Sequence, residues 1–547
     1  MNPLLRLVAA RCGPTRGAAN LGALLLVVAA CGGQSTREVA RGGGSGGGGG
    51  TGSGVPAEIG GTGGDGQVGN VGAAGSGGDA VSDGGAACDE QAPGTLTGSH
   101  TFAVDEEGLA HADYVLSAAP VGLAPCGDGF CLAGELERRV RFDPDLVAQG
   151  DRDVYVAKLR ADGSRVFSRR LGGTTTADDV FAASFAANEQ GDLALGVGCS
   201  GELVAETANG AATAINCAGD HERLLLLRLD AAGALLWAAD LGTSTVVPPR
   251  LALAIDANGR TVVAAHVGGP ITTPGALPEQ VLVAAFARDG SELFRHYFVG
   301  VETYATDLAI DSQGNTVLTG FFAGTVTTTD GDATSSVSEP LDTAGSEICL
   351  LKLDSSGSLS FTSCFGGQGQ ANLEPKLALG PDDSIVLAGS FVGNLDLAAV
   401  GGNAAPSDSP FSTKGKTDIY LAKFDAGGSL VWQRQFGNEE DQEVSLGVAV
   451  TPEGNVLLPG VTWSALAIDG FETAQGTSSP FLAGFDAGGE AYFLGVLGKA
   501  AYVDGRDSIT LGSCRSFYLA ADYHGNLLAP GADQQQADGL AFVSGRY

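Results

Sequence analysis

Two hairpin patterns alternate through residues 100–547 and predict an all-β fold built from four-stranded units. The first is a strand of the form D-[IV]-Y-[VL]-A-K-[LF], a turn D-x-x-G, and a second strand with an aromatic residue four positions after the Gly. The second is an apolar strand, a turn carrying Asp, Asn or Gly, and another apolar strand ending in small residues. Composition supplies a third observation: 44% hydrophobic residues in a chain of formal net charge −33 require a substantial core, which an acidic disordered chain lacks.

The first pattern occurs at 153–167, 223–237, 280–294, 347–361, 418–432 and 479–493, with a weaker copy at 100–112. Its turn glycines, Gly108, Gly163, Gly233, Gly290, Gly357, Gly428 and Gly489, lie 55 to 71 residues apart. The aromatics Phe167, Trp237, Phe294, Phe361, Trp432 and Phe493 follow six of them. The second pattern occurs at 121–136, 183–198, 251–266, 306–321, 376–391, 447–462 and 509–524, so each period holds four short strands with a variable loop between the second and third. A twisted sheet of that size leaves both faces apolar, whereas a ring of such sheets buries every face against a neighbour. The prediction is therefore a single β-propeller of seven four-stranded blades. A β-sandwich or two tandem barrels would not give matched hairpins at this period. The C-terminal residues 537–547 carry the third-strand pattern and residues 109–116 a fourth-strand one, so both termini are expected to build the closing blade.

The body begins at residue 88. Before it, residues 1–19 carry Arg6, Arg11 and Arg16 without an acid, and residues 21–30 form an apolar run of secretory length, too short to span a bilayer. Residues 1–30 read as a signal peptide, and Ala29-Ala30-Cys31-Gly32 resembles the bacterial lipobox, in which the Cys31 thiol takes diacylglycerol before cleavage. Cleavage removes three Arg and leaves a charge of −36. Residues 31–87, dominated by Gly after Cys31, cannot bury enough apolar surface to fold and read as a flexible linker. At roughly 5–6 Å × √n it would hold the body about 40 Å from the lipid. A G-x-G-x-x-G match inside it has no preceding strand or following helix and carries no nucleotide-binding meaning.

The repeats resemble the SBBP-type β-propeller repeat of secreted bacterial proteins, and a lipobox followed by a Gly-rich linker is similar to lipoproteins of this kind in myxobacteria. The resemblance covers nearly all of residues 100–547. It implies an exported seven-bladed propeller and no particular activity. The N-terminal copy departs from it, with Ala112 where the aromatic belongs, as suits a strand used to close a ring.

Eight Cys remain in the body, an even number as expected in an oxidising compartment. Cys349 and Cys364 flank one hairpin turn, Cys126 and Cys131 flank another, and Cys199 and Cys217 bracket a polar loop. Cys88 and Cys514 pair by elimination, tying the start of the body to its last blade. No C-x-x-C pair or Cys/His cluster points to a metal.

The sequence carries no H-E-x-x-H, P-loop or G-x-S-x-G elbow in the body, and no catalytic residue is assigned. His266 and His524 lie near the ends of second strands, where a half-buried or rim histidine is the simpler reading. The recurring Asp256, Asp311, Asp354, Asp425 and Asp486 suit turns in which Asp caps its own backbone. The recurring aromatics compare with the Trp of quinone-cofactor propellers, but only two of six are Trp, and packing between blades accounts for them better. No cofactor is expected. Calcium is the one ion considered, at Asp143, Asp145, Asp151 and Asp153 or at Asp330 and Asp332, and solvated acidic loops explain both groups.

A strongly acidic chain without a basic stripe repels a phosphate backbone and excludes nucleic acid as a partner. The expectation is a lipid-anchored propeller in the bacterial cell envelope, on the outer membrane, acting as a non-catalytic binding module for an envelope protein or glycan. Its recognition loops would be 200–222, 326–346 and 397–417. The alternatives are a lyase- or hydrolase-type site in the central channel and a purely structural scaffold.

Overall fold

The computed structural model describes residues 96–103 and 120–547, less the stretches 128, 138, 220, 245, 247–249, 269–279, 331–332, 338–346, 366–368, 398–409, 440–441, 474–478, 505–508, 513–514 and 529–533. All regular structure among them is β-strand. The strands fall into successive antiparallel four-stranded sets in chain order.

The first sheet joins Pro120–Cys126, Gly129–Leu136, Asp153–Arg160 and Arg165–Gly172. The second joins Asp179–Ala187, Leu193–Ser200, Glu222–Leu229 and Leu235–Ser244. The third takes Leu251–Ile255, Thr261–Val267 and Gln280–Phe286, then the start of Glu292–Ile310. That long strand continues into the fourth sheet beside Thr316–Asp330, Glu347–Leu353 and Leu359–Phe365. The fifth holds Gly369–Leu379, Ile385–Leu395, Asp418–Phe424 and Leu430–Phe436. In the sixth the first strand is broken into Glu443–Ser445 and Ala449–Val450, ahead of Val456–Thr462, Ser479–Phe485 and Ala491–Val496.

The last sheet combines both ends of the body. Gly498–Asp504 and Ile509–Gly512 pair with the two halves of Ser516–Leu528, which pairs with Gln534–Arg546, and Leu96–Ala103 takes that strand's far side, with His100 opposite Phe542. The outer strand expected at 109–116 is thus supplied by residues 96–103. The motif LAHADYVL alternates as well as LTGSHTFA does, and partner register rather than pattern selects between them. The hairpin read over 100–112 contributes its first four residues to that strand, and the rest of it lies outside the described residues, as does 109–116.

The third strand of each sheet explains the packing. Its central residues are mostly apolar because both faces are covered, and the side chains alternate between two neighbours. Val154 and Val156 pack with Val197 and Leu227 of the second sheet, while Tyr155 and Ala157 pack with Tyr518 and Ala520 of the last. Leu224 and Leu226 meet Val263 and Leu282 of the third sheet. Val281 and Val283 meet Leu318 and Leu351 of the fourth. Leu350 meets Leu387 and Tyr420 of the fifth, whose Ile419 and Leu421 meet Leu458 and Phe481 of the sixth. Leu482 meets Phe517 and Leu519 of the last sheet, and Phe130 stacks on Tyr518 with ring centroids 4.9 Å apart. At about 1.5–3 kcal/mol per buried large apolar side chain, these joints hold most of the folding energy.

Large aromatics in third strands need room, and Gly in the adjacent strand provides it. Tyr420 lies opposite Gly389 and Phe481 opposite Gly460. A Cβ at either Gly would come within 2.5 Å of the facing ring or its hydroxyl.

Candidate functional site

In an antiparallel four-stranded meander both hairpin turns fall at one end of the sheet, and the second-to-third connection and the link to the next sheet fall at the other. Each sheet therefore has a turn rim and a loop rim, and the two are built differently.

On the turn rim the recurring acids cap their own turns. Asp256 Oδ1 accepts the N–H groups of Asn258 and Arg260 at 2.8 and 2.9 Å, and Asp425 Oδ1 those of Gly427 and Ser429 at 2.9 and 2.8 Å. Asp311, Asp354 and Asp486 repeat the arrangement. The turn glycines are left-handed, with φ +77° at Gly233 and +91° at Gly357. The aromatic of each preceding sheet lies on the next turn: Phe167 on Gly233, Trp237 on Gly290, Phe294 on Gly357, Phe361 on Gly428 and Trp432 on Gly489. Trp237 and Trp432 also donate Nε1–H to the carbonyls of Arg288 and Ala487. These aromatics join sheets.

The basic residue of the third-strand motif is buried on the same rim. Arg228, 0% exposed, pairs with Asp192 at 3.1 Å, and Arg288 from the next sheet meets the same carboxylate at 3.0 Å. Asn188 donates to Asp192 and to the Asp256 carbonyl of the third sheet. Lys352 pairs with Asp311 at 2.9 Å and donates to the Ala426 carbonyl of the fifth sheet. Ser312 donates through its backbone and its hydroxyl to Asp383. Sequence reading treated this Lys or Arg as part of a strand pattern; its role as a buried cation tying two turns emerges only from the pairing.

The loop rim differs in every sheet. Residues 200–222 form a ribbon of Glu202–Glu206 and Ala212–Asn216, in register from Glu202 opposite Asn216 to Glu206 opposite Ala212. The Cys199–Cys217 disulfide closes its base. Its first strand reaches the outer strand of the first sheet at Val204 and Gly172, so this loop of the second sheet extends its neighbour to six strands. Leu203 and Ala205 are buried beneath it. Asp178 anchors the ribbon through the Glu202 N–H at 2.9 Å. Against the opposing push of burial, the Thr175 and Thr174 N–H groups, the Thr175 hydroxyl and the Glu202 N–H hold Asp178 below the ordinary carboxylate range. Of 326–346, Val326 to Asp330 pairs with Ala333–Val337, and of 397–417, Phe411–Ser412 pairs with Asn394–Leu395. Two small hairpins that the sequence did not announce, Arg139–Val140 with Leu146–Val147 and Ala467–Ile468 with Phe471–Glu472, complete the described loops.

Near the start of the ribbon, Arg152 is gripped twice. Its guanidinium forms paired hydrogen bonds to Asp179 at 3.1 and 3.2 Å and lies 3.6 Å over the Phe181 ring. Burial, then the charge of Asp179, pushes the Glu222 carboxyl above its ordinary range. His266 is 4% exposed, and burial followed by the positive Arg250 pulls it from 6.5 to about 4, so it is neutral at pH 7. Arg250 in turn lies 3.9 Å over the Tyr304 ring. His524 sits in Ser516–Leu528, in register with Tyr502 and Asp538.

The acids weighed for calcium are dispersed. Asp153 is fully buried and accepts from the backbone of Gln149, Gly150 and Gly173 and from Arg170, while Asp145 lies 3.8 Å from Arg139. Asp418 repeats the Asp153 role with Lys414 and Gln435. Among the described residues no three His, Cys, Asp or Glu side chains gather to hold a metal. Asp332 and the side chain of Asp330 lie outside the description. Cys126–Cys131 and Cys349–Cys364 are also disulfides, and Cys31, Cys88 and Cys514 lie outside the described residues.

No family model matches the chain, and no curated protein matches it. Among solved structures it is similar to U3-55K at TM-score 0.40 and 10% identity, covering 83% of this chain and 99% of that one. The RRP9 WD40 repeats match at TM-score 0.39 and 11% identity over 83% and 98%, and YCF48 bound to D1 peptide at 0.33 and 10% over 81% and 99%.

Proposed function

We propose that the chain is an exported, lipid-anchored seven-bladed β-propeller whose loop rim binds an envelope protein or glycan. Ring closure is supported by the seventh apolar cluster, in which Phe130, Leu132 and Tyr155 of the first sheet pack with Tyr518 and Ala520 of the last. A row of sheets open at its ends would leave those faces wet. Export is supported by the apolar run at 21–30 ahead of Cys31 and by three disulfides in the body.

The observation that carries the binding reading is the asymmetry of the rims. Turn-rim groups are spent on one another, repeat after repeat. Loop-rim connections instead differ in length and shape, and one is a disulfide-closed ribbon carried by its neighbour's sheet, a rigid scaffold presenting variable segments. The test is a survey of the exported chain, disulfides intact, against arrays of glycans and envelope proteins. Saturable binding abolished by replacing 397–417 or 200–222 with a short Gly-Ser link is expected. A natively folded chain that binds nothing on either array would overturn the reading.

A further inference from the structure

Among the described residues, the ribbon ends in a strand with no further strand beside it. In the six-stranded sheet Ala212–Asn216 is the terminal strand, and antiparallel geometry fixes which of its backbone groups face outward. The Cys217 N–H bonds the Gly201 carbonyl and the Thr207 N–H bonds the Ala211 carbonyl, so the residues between them alternate. Thr213 and Ile215 exchange hydrogen bonds with Glu202–Glu206, while Ala212, Ala214 and Asn216 turn their N–H and C=O groups away. Arg223 occupies the Asn216 carbonyl, which confirms the direction. That leaves both backbone groups of Ala212 and Ala214 aimed into solvent. Ala212, Thr213, Ala214 and Asn216 are exposed, and none of the five side chains carries a charge. Edge strands are ordinarily blunted by charge, proline or a covering segment; among the described residues only Arg223, at the Asn216 end, does so here, and Ala212 and Ala214 have none of the three.

The geometry points to Ala212–Asn216 as a strand-addition site for an extended, basic segment of a partner polypeptide. This inference rests on the binding reading above and names the partner's chemistry. Backbone pairing supplies the contact, and side chains on the shared face select the sequence. On that face Glu206, one of whose carboxylate oxygens meets Arg169 while the other is left to a partner, stands across from Ala212, and Glu202 stands across from Asn216. Neighbouring Cβ atoms in a sheet are about 5 Å apart, so an added strand lies about 10 Å from these carboxylates. A Lys or Arg reaching over the single methyl of Ala212 spans that gap together with the glutamate. Two basic residues four positions apart, with uncharged residues between, match the pair, and the chain's charge of −33 favours their approach. A second copy of this strand would instead bring glutamates against glutamates. The disulfide, the Asp178 anchor and the turn bonds of Asn209 hold the strand ready before a partner arrives.

The test uses the full exported chain and the capped peptide TKTVTKT. Saturable binding is expected, weakened at least tenfold by Ala214→Pro, which deletes one outward N–H and leaves the bonds to Glu202–Glu206 intact. N-methylation of the peptide on its pairing edge should do the same. Should A214P disturb the ribbon, E202K/E206K decides instead, with preference expected to switch from TKTVTKT to TETVTET. No binding of the peptide, or binding indifferent to A214P, to N-methylation and to the charge swap, overturns the inference. Concentration-dependent dimerisation lost in A214P also overturns it, in favour of self-pairing. A partner from the arrays that depends on 397–417 and ignores A214P would leave the binding reading standing and remove this site alone.

Discussion

The two rims of these sheets follow opposite rules. On the turn rim a short vocabulary recurs: a capping Asp, a left-handed Gly, an aromatic lent by the previous sheet, and a buried cation on a turn acid. On the loop rim Asp153 and Asp418 close their connections alike, but the connections otherwise differ in length and shape. Repetition marks where neighbouring sheets must agree with each other, because every joint there has the same geometry to satisfy. Variation marks segments that no such joint constrains.

Removing a turn-rim counter-charge is the hardest blow to this arrangement. Asp192→Ala leaves Arg228 at 0% exposure without its carboxylate, and a cost of about 3–5 kcal/mol is expected in urea unfolding. The loop-rim control, Asp145→Ala, removes the pair with Arg139, where the two side chains are 44% and 41% exposed, and should cost no more than about 1 kcal/mol. Equal costs would erase the distinction between the rims.

Acid sharpens the comparison next. A base held at about 4 when folded and 6.5 when unfolded leaves the unfolded chain binding the extra proton between those values. The stability that neutral His266 contributes is therefore complete above pH 6.5 and lost as pH falls towards 4. At about 1.4 kcal/mol per unit the loss is roughly 3 kcal/mol. His266→Gln should flatten that part of the stability profile; superimposable profiles would assign the acid sensitivity elsewhere.

Two left-handed glycines give a finer contrast. A Cβ at Gly428 meets the Phe361 ring at 2.8 Å, whereas at Gly210, in the ribbon turn, its nearest neighbour is 3.8 Å away. Gly428→Ala should cost about 2–3 kcal/mol, part of it recovered when Phe361 is also cut to Ala, and Gly210→Ala about 1 kcal/mol from backbone strain alone. The smallest effect is expected at the exposed ribbon edge, where Thr213→Ala should fall within about 0.5 kcal/mol. A larger thermal shift there would mean the ribbon supports the core.

Most of the strand order was legible because the periodicity that betrays it is also what buries it. The turn acids and inter-sheet aromatics were read correctly from their spacing, since capping and packing are local to a repeat. Three pairings, Cys126–Cys131, Cys199–Cys217 and Cys349–Cys364, followed from their positions about turns. What stayed hidden depends on contacts between distant residues. Residues 96–103 and 109–116 alternate alike, and only the edge of Gln534–Arg546 chooses between them. The Arg152 grip joins residues 27 apart from two sheets, and the ribbon's docking on Gly172 leaves no trace in its own sequence. The bracketing Cys199 and Cys217 were the one available signal that residues 200–216 are a shaped element.

Hydrogen exchange tests the proposed ring most directly: one cooperative core closed at its last sheet, carrying a locally independent loop rim. The account predicts a common, near-global opening energy for the amides of Leu226, Val283, Leu350, Leu421 and Leu482 and for Leu519 and Val543 of the last sheet. Ala212 and Ala214, aimed at solvent, should exchange at least a hundredfold faster. Leu519 and Val543 exchanging orders of magnitude ahead of the other sheets, or the ribbon protected as strongly as the core, would contradict it.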